Sequence, residues 1–334
     1  DVSTGAAEGS AVTVSSGPCS DNAGNTNPGI SSVAFMIDLT APVSTDDGPT
    51  TAPNTAGWFK SAVVNSFSAS DALSGLDAAC DSAFPKNVST GTQEGSAVTV
   101  SSGGCSDVAG NANAGRSSAT FMVDLSDPVL GVSDTNAAIS SVCSALPSRP
   151  SFSPTDAISG INSDPALTYD SWTTPSTSSG AGTYRYYAQA TDIAGRTASV
   201  TRTYTVTYGA AVNAFLQPIN RDGSSRFRLG STVPTKFTAA CNGVSIANLV
   251  AKLYVAKGDS VPDPGVDEAI STAASTVGNL FRYDAMGQQY MFNLSTKLGY
   301  TNPGGGTQTF ARGTWTLKIG LDDGTWRSVN IQLV

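Results

Sequence analysis

The chain has 334 residues, room for about two to four domains at roughly 100–200 residues each. Charged residues are 13% of it, against roughly 25% in typical soluble domains, and Ser, Thr, Gly and Ala fill the gap. The formal net charge of −8, with no Lys/Arg cluster to reverse it locally, opposes a phosphate backbone and argues against a nucleic-acid partner. The sequence contains no His, so Ser-His-Asp and Cys-His catalysis lose their base and the commonest metal ligand is missing. No apolar run approaches the roughly 20 residues of a transmembrane helix.

In chain order, the first element is a segment that returns. Val2-Ser3-Thr4-Gly5 through Gly17 recurs as Val88 through Gly103. Cys19-Ser20-Asp21 recurs as Cys105-Ser106-Asp107, and Ala23-Gly24-Asn25 as Ala109-Gly110-Asn111. Phe35-Met36-Ile37-Asp38-Leu39 recurs as Phe121-Met122-Val123-Asp124-Leu125, so the period is 86 residues. A divergent third copy follows at 85 residues: Ser70-Asp71-Ala72-Leu73-Ser74-Gly75-Leu76 returns as Thr155 through Ile161, and Asp107-Val108-Ala109-Gly110 as Asp192-Ile193-Ala194-Gly195.

Within each copy the pattern is that of strands. Ala97 to Ser101 and Ala198 to Val206 alternate apolar and polar residues, and Gly, Pro, Asn and Asp bound them. Short strands with turn signals at this spacing predict an all-β protein of tandem β-sandwiches arranged end to end. The repeat predicts boundaries of 1–44 for the C-terminal half of one copy, 45–128 for a full copy and 129–208 for the divergent one. Pro42 and Pro128 mark corresponding strand exits. Residues 1–44 alone would expose strand edges and an apolar row of Val12, Val14, Phe35 and Ile37. An upstream half-repeat or strands from a neighbouring subunit would cover it.

Asp-Ala-Leu-Ser-Gly-Leu, Ser-Asp-x-Ala-Gly-Asn and the closing Val-Asp-Leu-x-x-Pro-Val together resemble bacterial immunoglobulin-like repeats, over roughly residues 1–208. From Phe215 the pattern changes. Gly230-Ser231-Thr232-Val233-Pro234-Thr235-Lys236-Phe237 is similar to the motif of the PxKF domain, with Pro234, Lys236 and Phe237 as the motif residues. The turn Lys257-Gly258-Asp259-Ser260 and the run Tyr290 to Lys297 support that resemblance over 209–334. Gly313 to Ile319 and Trp326 to Leu333 alternate around Asp322-Asp323-Gly324 and predict a closing hairpin. Ending on a strand suggests that Val334 lies near the natural C-terminus.

These resemblances imply a secreted, cell-surface protein that is not an enzyme. Its role would be structural or adhesive, as a stalk, surface layer, sheath or filament component. Neighbouring domains, further copies of the chain or surface glycans would be its partners. Alternatives are a glycan- or cell-wall-binding module, or the tail of a larger secreted enzyme.

Of the five cysteines, Cys80 and Cys105 fall in one copy. A disulfide between them would add roughly 3 kcal/mol on the chain-entropy model; the alternative is two buried thiols. Cys19 corresponds to Cys105 but its partner position precedes Asp1. Cys143 and Cys241 have no partner given by the repeat, and their pairing with each other stays open.

No cofactor is required by any motif. The loops carrying Asp71 and Asp77 and carrying Asp107 and Asn111 could offer oxygen ligands to Ca²⁺ at a junction, with turn capping as the alternative. Asp263, Asp267 and Glu268 offer either a calcium loop or a solvated turn, the turn being favoured, and Gly304-Gly305-Gly306 reads as a flexible loop without the Lys of a phosphate loop. Asn87 and Asn293 head glycan-acceptor tripeptides. Trp58, Trp172, Trp315 and Trp326 are scattered, which favours core packing over a sugar-stacking face.

Overall fold

The structure is a computed structural model that describes residues 1–258 and 267–334. Asp259, Ser260 and Asp263, singled out from sequence, lie outside the described residues. Strands dominate, and the longest described helix, Ala78–Ala83, has six residues. None is long and apolar enough to cross a membrane. The chain divides into two compact units: residues 1–130, 154–169 and 189–198, and residues 131–153, 170–188 and 199–334.

The first unit holds a β-sandwich. One sheet pairs Val43–Pro49, Val64–Ser70 and Lys86–Ser89, all antiparallel. The other sets Phe121–Val123 between Gly95–Val98, antiparallel, and Trp58–Phe59, parallel, with Met122 opposite Trp58. Side chains alternate across each strand, so one face of each sheet turns inward. Phe59, Val63, Phe67, Val98, Val100, Phe121 and Val123 meet there, with Phe59 and Phe121 edge to face at 5.8 Å. This core is small, and a disulfide between Cys80 and Cys105 (Cα–Cα 5.4 Å) ties the short helix to the following hairpin.

Residues 1–44 build the same local elements in the same register. Gly9 faces Ile37 and Val12 faces Phe35, as Gly95 faces Val123 and Val98 faces Phe121. The hairpin Cys19–Ser20 with Thr26–Asn27 matches Cys105–Ser106 with Ala112–Asn113. Among the described residues, no second sheet faces these strands. Phe35 is therefore 40% exposed where its counterpart Phe121 is 5% exposed, and Cys19 is exposed and unbonded.

The boundary between the units does not follow the repeat. Residues 154–169 and 189–198 of the third copy belong with the second copy, because their loops bond to it directly. Ser159 N–H donates to Asp124 at 3.2 Å, and the Asn54 side-chain amide donates to the Ile193 carbonyl at 2.8 Å.

The second unit holds the rest of the third copy and all of 209–334. Tyr184, Tyr186, Ala188, Tyr204 and Val206 form one core, with Trp172 packed on Tyr184 and Tyr204. Ile139–Ser141 runs parallel beside Thr197–Thr207, the same edge arrangement as Trp58–Phe59 beside Phe121–Val123.

The C-terminal sandwich has a five-stranded sheet built on Thr232–Cys241 and Gln289–Ser295, and a seven-stranded sheet built on Ala251–Lys257, Gly313–Leu321 and Trp326–Leu333. Phe237 is fully buried between them, stacked on Tyr290 at 4.7 Å and edge-on to Phe281 at 5.0 Å. Lys236 points to the opposite, half-buried face of that strand. Pro234 is tolerated mid-strand because Val212–Ala214 pairs only Phe237 to Ala239, so Pro234 has a single ladder neighbour.

Asp322-Asp323-Gly324 forms the closing turn, with Gly324 at φ +81°, a conformation that favours glycine. Trp315 to Ile319 is buried on both faces rather than alternately. The strand is central in the wide sheet, and outer-face side chains cover one another: Lys318 Nζ sits 4.3 Å from the Trp326 ring, and Thr316 donates to the Gly258 carbonyl. Asp267 and Glu268, expected in a solvated turn, instead lie on the strand Asp267–Ala269, paired with Val255 and Tyr254.

Two links join the third copy to this sandwich within the second unit. Cys143 is disulfide-bonded to Cys241 (Cα–Cα 5.1 Å). Tyr208, fully buried, donates its backbone N–H to Asp323 and its hydroxyl to Asp322, each at 2.8 Å.

Removing the Cys80–Cys105 link by Cys80→Ala should lower unfolding stability of the first unit by about 3 kcal/mol on the chain-entropy model, read by urea titration. Burial pushes the Tyr290 hydroxyl from 10.0 up to about 12, and burial pushes Tyr208 up as well. The folded state therefore holds these protons longer than the unfolded chain. Their contribution is whole below pH 10 and is lost as pH climbs toward about 12. Urea midpoints measured across that window should fall, and less steeply in Tyr290→Phe.

Candidate acidic metal centres

Each Asp of the repeat sits in a loop whose backbone it organises. Asp71 Oδ1 accepts the N–H groups of Leu73, Ser74 and Gly75 at 3.1, 3.0 and 2.9 Å. Asp156 does the same for Ile158, Ser159 and Gly160. A short acceptor two to four residues ahead of three N–H groups stabilises such a tight turn, which is why Asp occupies that position. Asp107 and Asp192 close the second loop in the same way, and Asp38 and Asp124 leave the last strand of the preceding copy.

The fold then gathers these turns. Among the described residues, two groups of three carboxylates have ligand oxygens mutually within 4.8 Å: Asp38, Asp71 and Asp107, and Asp124, Asp156 and Asp192. Asp38, Asp107, Asp124 and Asp192 are buried, and Asp71 and Asp156 half-buried. Both groups lie within the first unit. Three oxygens in such a space offer hard ligands suited to Ca²⁺.

Several hydrogen bonds already satisfy these groups. Asp38 Oδ2 accepts from Ser74 N–H at 3.0 Å and Oδ1 from Thr40 N–H at 3.0 Å. Asp124 accepts from Ser159 and Ser126 N–H groups. Asp192 Oδ1 accepts from Gly195 and Arg196 N–H groups at 2.7 and 2.9 Å, but its Oδ2 is buried with no donor. Burial pushes the Asp192 carboxyl above the usual carboxylate range, against the hydrogen bond from Arg196 N–H. The charges of Asp124 and Asp156 push it the same way. A cation would reverse both effects.

Of the residues suggested from sequence, Asp71 and Asp107 come together. Asp77 does not join them: it caps the helix Ala78–Ala83, accepting from Cys80 N–H at 2.7 Å. Asn111 lies beside the group as a donor, its side-chain amide bonded to Asp107 Oδ2 at 2.8 Å and to the Asp38 carbonyl at 3.1 Å. Sequence reading passed over Asp38, Asp124, Asp156 and Asp192, although each is an Asp repeated 85 or 86 residues from a partner. The tryptophans share no common face. Trp315 is core, Trp172 packs on tyrosines, Trp326 covers Lys318, and half-buried Trp58 borders a cleft of about 430 Å³ with Asn54, Lys60 and Gly195.

No family model matches the sequence, and no curated protein does. Solved structures give distant likenesses. A Ca²⁺-stabilized adhesin with which an Antarctic bacterium reaches out and binds ice is 14% identical, covering 97% of this chain and 80% of that one, with a TM-score of 0.24. Domains EC3–6 of protocadherin γB7 are 12% identical over 95% of this chain and 83% of theirs, TM-score 0.28. The D00–D0 domain of intimin is 14% identical over 62% of this chain and 100% of its own, TM-score 0.19. At these values the fold and site rest on the chain's own residues.

In metal-free protein the bare Asp192 charge is a cost. Asp192→Asn should therefore raise the urea midpoint in the presence of chelator, since a neutral amide relieves an unpaired buried charge. A lowered midpoint would show that the charge is already compensated.

Proposed function

We propose that the chain is a non-catalytic, extracellular adhesive or structural protein of immunoglobulin-like repeats, stiffened by Ca²⁺ bound where one copy meets the next. Copies 45–128 and 129–208 would be successive stalk modules, with 1–44 the half of another and 209–334 a PxKF-like terminal module. One observation carries this reading: a partly buried aspartate triad recurs at the repeat period, each drawing one carboxylate from the end of one copy and two from loops of the next. Capping one turn requires one Asp; bringing three together against their mutual repulsion makes physical sense when a cation is shared.

The extracellular assignment draws on the two disulfides, which persist in oxidising compartments. The small core of the second copy and the crosslink beside it fit the same setting. A second reading, binding of a surface glycan, is favoured by the cleft beside Trp58, where a half-exposed aromatic face stands among amide, hydroxyl and ammonium groups.

Thermal unfolding with calcium and with chelator tests the main reading. At free calcium about a hundredfold above its Kd, each site should add about 2.7 kcal/mol, and chelator should remove it. Identical unfolding curves in the two conditions would rule out a calcium-stiffened stalk.

A further inference from the structure

The two triads are copies of one design, and the residue that caps the third carboxylate differs between them. In the first, Asn111 caps Asp107 fully: its backbone N–H donates to Oδ1 and its side-chain amide to Oδ2, each at 2.8 Å. Asp21 and Asn25 repeat that arrangement, at 2.9 and 2.8 Å. The amide cap is thus the ordinary form of this loop.

In the second triad the matching residue is Arg196. Its backbone N–H still donates to Asp192 Oδ1, at 2.9 Å. Its guanidinium turns elsewhere, to Asp127 at 2.8 Å and to the Lys60 carbonyl at 3.1 Å. Asp192 Oδ2 is left buried without a donor, on a side chain with no exposed surface. The added positive charge of Arg196 is paired with Asp127, so it does not stand against an incoming cation unopposed.

A buried carboxylate oxygen with no donor carries its full desolvation cost until something binds it. A cation at the second triad would recover all of that cost. At the first triad the Asn111 amide has recovered part of it beforehand, and a cation must share the oxygen or displace the amide.

We infer that the Asp124–Asp156–Asp192 site takes a divalent cation more tightly than the Asp38–Asp71–Asp107 site, so that the two fill in order as free calcium rises. This rests on the reading of both triads as cation sites. Ordered filling would stiffen the stretch between the second and third copies at calcium levels that leave the preceding junction loose.

Calorimetric titration of the chelator-stripped chain with calcium chloride tests the order. Two binding steps separated by roughly tenfold in Kd are expected. Asp192→Asn should abolish the tight step and Asp107→Asn the weak one. Arg196→Asn, which installs the residue the other loops use, should weaken the tight step toward the weak one, and Asn111→Ala should tighten the weak step. Far-UV circular dichroism checks that each variant is folded; should Asn111→Ala fail to fold, Arg196→Asn decides alone. Coincident steps, loss of the weak step in Asp192→Asn, or an unchanged tight step in Arg196→Asn would overturn the inference while leaving the cation reading intact. Absence of any calcium heat in the unaltered chain would overturn both.

Discussion

Three carboxylates gathered in one partly buried space set the terms for the first unit. Carboxylate oxygens within 4.8 Å of one another repel when all three groups are ionised. The chain offsets this with backbone donors: the Asp71 and Asp156 turns each aim three N–H groups at one oxygen. Those donors exist only while the turns keep their shape, and the turns position the loops that meet the preceding copy. Local turn geometry, charge and the meeting of repeats are therefore one coupled problem.

The second unit solves a similar problem without concentrated charge. Where the third copy ends, Tyr208 bonds to Asp322 and Asp323. A neutral phenol donates to Asp322 and a backbone N–H to Asp323, so neither adds a third negative charge. The Cys143–Cys241 disulfide fixes the same region covalently. The chain thus holds two kinds of connection: gathered carboxylate turns in the first unit, and a disulfide with tyrosine hydrogen bonds in the second.

Core size separates the sandwiches as well. The second copy buries only a few large side chains around Phe59, Phe67 and Phe121, whereas the C-terminal sandwich gathers a much longer list around Trp315, Phe237 and Phe292. A small core yields little net stability after chain entropy is counted, so a crosslink or a bound ion changes its balance more. Both the Cys80–Cys105 bond and the triads fall on the copies with the smaller core.

The β-sandwich character and the register of the repeat were legible because both depend on local pattern. Period-2 alternation, turn residues and an 86-residue recurrence survive in one dimension. Loop chemistry was legible too: Asp71 and Asp107 read as oxygen-bearing turns and occupy them. The membership of the triads was not legible. Asp77 and Asn111 stand as near to those loops in sequence as any ligand. Yet Asp77 is spent on a helix cap and Asn111 on a hydrogen bond, while Asp38 arrives from the end of the preceding copy. Sequence alone determined which residues would turn the chain and which would face inward, since those follow from each residue's own backbone preferences and polarity. Which carboxylates converge, and whether a buried oxygen keeps a donor or is left without one, was decided only by tertiary packing. Those outcomes depend on distances between segments far apart in the chain.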